Sequence, residues 1–65
     1  MNLYFQDELK ARIQLVDDRL VVTGPDAESV RGVLRGYLPA YGTDAKIYEM
    51  LPRLFRGYWH VDEQS

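Results

Sequence analysis

The chain has 65 residues, enough for one small domain, which buries only about 60% of the surface that the unfolded chain exposes. Its composition, 46% hydrophobic and 28% charged, is ordinary for a globular protein, and a net charge of −2 gives no overall basic surface for nucleic acid. No apolar run approaches the ~20 residues of a membrane-spanning helix.

Residues suited to catalysis or metal binding are scarce. The chain has no cysteine and one histidine, His60, which excludes a disulfide framework and a zinc cluster. No nucleophile stands in a recognisable setting, since Ser29 falls on the exposed side of a predicted helix and Ser65 ends the chain. We therefore expect a non-enzyme with no catalytic residue, metal, cofactor or small-molecule substrate. The lack of cysteine and of a signal peptide predicts a cytoplasmic protein.

The N-terminal residues give no clear structural pattern. Residues 2–6 match the core of a tag-removal protease site, so residues 1–6 are interpreted as a tag remnant or a flexible N-terminus without a functional role. Residues 7–10 are compatible with a short helical turn. We expect residues 7–61 to form the single domain and residues 62–65 a tail.

The clearest element is a β-hairpin over residues 11–23 that turns at Asp17-Asp18. A two-residue loop places four aliphatic side chains on one face: Ile13, Leu15, Leu20 and Val22. The other face carries Arg12, Gln14, Val16, Arg19, Val21 and Thr23. Both strands alternate with period two in this register, and a slip of one residue would destroy the agreement. Turn chemistry explains the two aspartates better than a carboxylate pair or a metal site.

Two amphipathic helices follow the hairpin. In the first, Gly24 is the predicted N-cap, Pro25 the first helical residue, and Pro39 ends the helix near Leu38. Its apolar stripe consists of Ala27, Val30, Val33, Leu34, Tyr37 and Leu38.

The second helix begins at Thr43 as N-cap and ends at Gly57. Its apolar stripe consists of Ile47, Tyr48, Met50, Leu51, Leu54, Phe55 and Tyr58. Pro52 predicts either a kink or two short helices meeting at Leu51. Residues 58–61 are expected to form a short extended segment.

Together these elements predict an α+β fold in which a small β-hairpin packs against two amphipathic helices, in the order ββαα with a short helical turn in front. The predicted core consists of Ile13, Leu15, Leu20, Val22, Val30, Leu34, Leu38, Ile47, Leu51, Leu54 and Phe55.

Two groups of residues are candidates for a protein-binding surface. Gly32 and Gly36 lie four apart on the polar side of the first helix, where a second helix from a partner or a twofold mate could approach closely. The alternatives are tolerated exposed glycines, or glycines covered by the chain's own second helix. The second group is the local concentration of arginine and aromatic residues, Arg53, Arg56, Tyr58, Trp59 and His60. Its alternative is structural, with Tyr58 in the core, Trp59 packed on the hairpin and the arginines solvated.

These patterns predict a small non-enzymatic protein–protein interaction module of the docking, oligomerisation or inhibitor type. Its partner is another protein or a second copy in a homodimer. The alternative is a small nucleic-acid-binding protein that uses Arg53, Arg56 and Trp59, which the acidic balance of the chain disfavours. No membrane partner is expected.

The order of a short helix, a hairpin and two helices resembles the N-terminal docking domains of the TubC type. The similar residues are Ile13-Gln14-Leu15, Asp18-Arg19-Leu20 and Gly24-Pro25. The separation of the helices at residues 39–42 and the aromatic second helix depart from that family. The resemblance implies that a partner binds at the exposed edge of the hairpin by strand addition.

Overall fold

The computed structural model describes residues 1–57 and 59–62, and in these residues four strands and two helices are present. In chain order they are β1 (Asn2–Phe5), β2 (Glu8–Val16), β3 (Arg19–Thr23), α1 (Ala27–Tyr41), α2 (Asp44–Leu54) and β4 (His60–Asp62). The strands form one antiparallel sheet in the order β3-β2-β1-β4, and both helices pack on one side of it. The predicted α+β fold is confirmed, with two strands more than the predicted hairpin.

The hairpin of β2 and β3 has the predicted register. Ile13 pairs with Val22 and lies with it in the core, since both are almost fully buried. Asp17 and Asp18 have φ values of 51° and 63°, the left-handed conformation that a type I′ turn requires of both central residues. Aspartate tolerates this conformation better than most residues, which explains how an Asp-Asp pair serves as the turn.

A second tight turn joins β1 to β2. Gln6 and Asp7 have φ values of 51° and 65°, and Phe5 pairs with Glu8 across them. The predicted helical turn over residues 7–10 is therefore wrong, because these residues reverse the chain and begin a strand.

The first residues of the chain are part of the sheet interior. Leu3 has no exposed surface, and the Met1 amine donates to the Ile13 carbonyl at 2.6 Å. Burial first, and then the nearby Arg12 guanidinium, lower the pKa of this amine below its usual value. The interpretation of residues 1–6 as a flexible N-terminus does not agree with this arrangement, since β1 is paired on both sides.

The short strand β4 completes the sheet beside β1. Val61 pairs with Leu3, and Asp62 pairs with Asn2. The extended segment expected near residues 58–61 thus exists from His60 onward, and it includes one residue that was assigned to the tail. Residues 63–65 of that tail lie outside the described residues.

An extra residue in β2 bends the sheet near its middle. Leu3 pairs with Ala11 whereas Tyr4 pairs with Leu9, so Lys10 is a bulge without a partner residue in β1. Without the bulge, Leu9 would lie on the same face of the sheet as Ala11 and Ile13. The extra residue reverses the alternation, and Leu9 therefore shares the opposite face with Tyr4.

The bulge residue is also bonded to the start of α1. The Lys10 carbonyl accepts a hydrogen bond from the Asp26 amide at 2.9 Å, and Asp26 is the N-cap of a helix that starts at Ala27. The predicted start at Gly24 is wrong. Gly24 has a φ of 116° and passes so close to β2 that a Cβ there would lie 3.0 Å from the Ala11 Cα.

The first helix continues past its proline. Pro39 lies inside α1, which ends at Tyr41, so the predicted end near Leu38 is wrong. Pro39 has no amide to donate to the Arg35 carbonyl four residues earlier. Both residues are exposed, so the carbonyl without a helical hydrogen bond lies on the solvated side of α1. Gly42, with a φ of 87°, ends the helix by donating its amide to the Leu38 carbonyl at 2.7 Å.

The predicted cap of α2 is confirmed, because the Thr43 hydroxyl accepts a hydrogen bond from the Lys46 amide at 3.2 Å. Pro52 lies inside one helix, Asp44–Leu54, which excludes the predicted division into two short helices. The helix also ends earlier than the predicted end at Gly57.

The core lies between the sheet and the two helices. Its buried apolar residues are Met1, Leu3, Ala11, Ile13, Val22, Val30, Leu34, Ile47, Leu51 and Phe55. Leu38, predicted to be in the core, is 40% exposed, because it lies at the margin of the α1 stripe. The predicted core residues Leu15, Leu20 and Leu54 are only partly buried. Leu15 and Leu20 flank the hairpin turn at the end of the sheet.

Candidate functional site

Gly32 and Gly36 lie on the exposed side of α1, opposite the buried residues Val30 and Leu34. A Cβ added at either glycine would have no neighbouring atom of residues 1–57 or 59–62 within 4 Å. The alternative in which α2 covers these glycines is therefore excluded, and they form open surface. Their role as a contact for a partner helix stays a prediction.

Trp59 is part of a small aromatic cluster at the end of the core. Its ring stacks on Phe55 with the ring centroids 5.6 Å apart, and it lies 6.3 Å from the ring of Phe5. The side chain is half-buried, whereas Arg53 and Arg56 nearby are exposed. The ring contacts of Trp59 are with Phe5 of β1 and with Phe55 after α2. The predicted role of Trp59 in binding stays a prediction.

His60 lies on a different surface from Trp59. It is exposed on β4, where its ring is 6.3 Å from that of Tyr4 on the neighbouring strand. Tyr58, the remaining predicted member of this group, lies outside the described residues. The predicted binding residues are thus distributed over α1, the end of α2 and β4.

The sheet face that points away from the helices has no described element packed on it. The register places eleven side chains there: Asn2, Tyr4, Leu9, Arg12, Gln14, Val16, Arg19, Val21, Thr23, His60 and Asp62. We call this set the open face. Polar residues are usual on the solvated face of an antiparallel sheet. Three aliphatic residues are exceptions, because Val16 is 49% exposed, Leu9 42% and Val21 39%.

One apolar part of the open face lies next to the hairpin turn. Val16 pairs with Arg19, and Val21 pairs with Gln14, so the two valines are diagonal neighbours across β2 and β3. The sequence contained a signal for this patch, since the predicted register already assigned both valines to the face opposite the core.

The other partly apolar region is a row across β2, β1 and β4 that contains one aliphatic side chain, one phenol ring and one imidazole ring. Leu9, Tyr4 and His60 are paired in turn across these strands. Between the two apolar parts lies a polar row, in which Arg12 Nε donates to Asn2 Oδ1 at 3.1 Å. The open face is therefore mixed, with apolar side chains at both ends and a hydrogen-bonded polar centre.

A groove of about 240 Å³ lies on the helix side of the molecule, between β3 and α1. We call it the β3–α1 groove. Aliphatic and charged side chains line it together: Arg19, Leu20, Val22, Arg31, Leu34, Arg35, Leu38 and Asp44. These residues are spread over 26 positions of the sequence, from 19 to 44, and only the tertiary structure brings them together.

Two side chains of the groove bind the outer edge of β3. The Leu20 amide donates to Asp44 Oδ2 at 3.0 Å, and Arg31 Nη2 donates to the Val22 carbonyl at 2.9 Å. Along β3 every second residue directs its amide and carbonyl away from β2, and Leu20 and Val22 are two of these residues. A strand added along β3 would need the same groups, so the edge for strand addition is partly occupied.

The β3–α1 groove is strongly cationic although the chain is acidic. It contains three of the eight Lys and Arg residues and one of the ten Asp and Glu residues. Among the residues that the structure describes, none of its three arginines forms an ion pair, the recorded pair being Lys10 with Glu8.

The described residues contain no group of three His, Cys, Asp or Glu side chains placed to hold a metal ion. Over the same residues, neither helix has the length and apolar character needed to cross a membrane.

Comparison with protein-family models, curated proteins and solved structures found no match to this chain. The similarity to docking domains therefore remains a resemblance of the residues named above.

Proposed function

We propose that this protein is a small non-enzymatic protein–protein interaction module that binds its partner through the open face. The observation that carries the proposal is the exposure of Leu9, Val16 and Val21 at sheet positions where polar residues are usual. Exposed apolar groups rimmed by polar residues are typical of protein-binding surfaces.

The charges of the open face favour a partner protein with an acidic surface. Arg12 lies on this face with Asp62, and Arg19 on the edge strand β3 borders both this face and the β3–α1 groove. A second copy of the chain would present the same arginines again, whereas an acidic protein would complement them. The module would then act as a docking piece or an inhibitor of that protein.

The test substitutes Val16→Glu together with Val21→Glu, and uses Val33→Glu as the matched variant. Val33 is exposed to the same extent as Val16, 49%, but lies on α1. We expect the double variant to fold and to bind the partner at least about tenfold more weakly, because two carboxylates would be buried against the partner without a compensating charge, and about 1.4 kcal/mol is enough for a tenfold loss. The partner is first captured from the source cells, and binding of the purified pair is then measured by calorimetry.

Three results would contradict the proposal. The double variant could bind as tightly as the original chain. Loss of binding only in Val33→Glu would move the contact to α1, beside Gly32 and Gly36. Binding to single-stranded nucleic acid alone, weakening steeply with added salt, would favour the alternative with Arg53, Arg56 and Trp59.

A further inference from the structure

The β3–α1 groove combines an apolar floor with guanidinium groups that form no ion pair within the described residues. Leu34 is nearly buried at its base, and Leu38 is 40% exposed beside it. Its volume of about 240 Å³ is below the ~300–1,000 Å³ of most small-molecule sites. The groove is therefore better matched in size to one or two side chains of a peptide than to a whole cofactor.

The arginines of the groove retain most of their hydrogen-bonding capacity. Arg31 uses one nitrogen for the Val22 carbonyl, and a guanidinium has five N–H donors. Arg19 and Arg35 are exposed and have no ion pair in the described part of the chain. Planar guanidinium groups bind carboxylates in a bidentate manner, so an acidic ligand complements this site.

The bonds along β3 indicate how such a ligand binds. Asp44 and Arg31 already hold the Leu20 amide and the Val22 carbonyl. A peptide that paired with β3 as a new strand would have to displace both side chains. A peptide that inserts its side chains into the groove leaves both bonds in place.

We propose that the β3–α1 groove binds a short acidic segment of a partner protein. An aliphatic side chain of the segment packs on the exposed Leu38, above the buried Leu34, and carboxylates of the segment pair with Arg19 and Arg35. The inference rests on the proposed function in one respect, that the partner is a protein. It concerns the helix side of the sheet, which shares Arg19 on the edge strand β3 with the open face but none of the exposed aliphatic residues Leu9, Val16 and Val21.

The experiment titrates the full ¹⁵N-labelled chain with the peptide acetyl-Glu-Leu-Glu-Leu-Glu-amide and follows backbone and arginine side-chain signals by NMR. Two control peptides replace either every Glu by Gln or every Leu by Ser. We expect the acidic aliphatic peptide to shift the signals of Leu20, Val22 and Arg35, and both control peptides to bind more weakly.

Two variants of equal charge change test the position of the site. Arg35→Gln should weaken binding about threefold, as expected for one exposed charge pair, and Arg53→Gln on α2 should leave it unchanged. Leu38→Ser should also weaken binding. In all of these variants the substituted side chain is exposed, so the fold is retained.

The inference is overturned if the peptide shifts no groove signal at millimolar concentration, if the Gln peptide binds equally well, or if Arg53→Gln has the larger effect. Loss of the Leu20 amide bond to Asp44 on binding would overturn the side-chain mode in favour of strand addition. The two proposals can fail separately. If the peptide does not bind the groove while the Val16→Glu and Val21→Glu double variant still loses partner binding, the groove inference is wrong and the proposed function is retained.

Discussion

The backbone reverses at two turns whose central residues all have positive φ and none of which is glycine. Gln6, Asp7, Asp17 and Asp18 occupy these positions, where the strands on either side are well paired. The pairing of β2 with β1 and with β3 next to these turns thus compensates for the free energy that a positive φ costs most residues. Gly24 is different, because both its φ of 116° and its contact with β2 exclude a side chain.

Gly24→Ala is expected to destabilise the fold by about 1–3 kcal/mol, since the added Cβ would meet the Lys10 carbonyl and the Ala11 Cα at 3.0 Å. The matched variant Gly36→Ala places its Cβ in open space and should stabilise α1 by about 0.5–1 kcal/mol. Urea unfolding measures both changes. Equal effects of the two substitutions would show that Gly24 is not constrained by β2.

The helices have a second role beyond covering the core, because they protect an edge of the sheet. Asp44 at the start of α2 and Arg31 in α1 bind backbone groups of β3 that have no strand partner in the described part of the chain. Natural sheets avoid edge-to-edge aggregation by covering or blocking such groups. The same two side chains line the β3–α1 groove, so edge protection and the proposed binding site share residues.

Asp44→Ala should cost about 1.5–3 kcal/mol, the usual contribution of a hydrogen bond to a charged group, and should accelerate hydrogen exchange of the Leu20 amide. Glu49→Ala removes an exposed carboxylate from the same helix and should change stability by less than about 0.5 kcal/mol. NMR-detected exchange separates the lost bond from a general effect of charge on α2. Unchanged protection of Leu20 would show that this bond does not form in solution.

At the scale of the whole molecule, the strand order β3-β2-β1-β4 brings both ends of the described chain into one sheet. β1 is an interior strand, and its Leu3 is packed among residues of the hairpin and the helices. A domain of this size rarely has more than about 3–5 kcal/mol of stability, so one interior strand is a large share of it.

Leu3→Ala is therefore expected to cost about 2–5 kcal/mol and to leave much of the protein unfolded at 37 °C. Leu9→Ala changes a leucine that is 42% exposed on the adjacent strand and should cost less than about 1 kcal/mol. Circular dichroism during urea unfolding compares the two. A small and equal loss in both variants would mean that residues 1–6 contribute little to the fold.

Local periodicity was sufficient for the hairpin and for the faces of the helices. Two alternating strands agreed on one register, and Thr43 was a recognisable cap. The ends of α1 were predicted less well, because the start depends on contacts of Gly24 and Asp26 with β2. Pro39 was expected to end the helix, but its exposed position and the cap at Gly42 permit one more turn.

The α+β class, the hairpin register and the polar side of α1 are predictable from residue order alone, because each depends on residues only a few positions apart. The position of residues 2–5 as an interior strand is visible only in the folded chain, since a four-residue strand has too short a pattern to be distinguished from an extended terminus. The β3–α1 groove belongs to the same category. Its arginines and its apolar floor come from separate elements, and their combination exists only after β3, α1 and α2 have packed together.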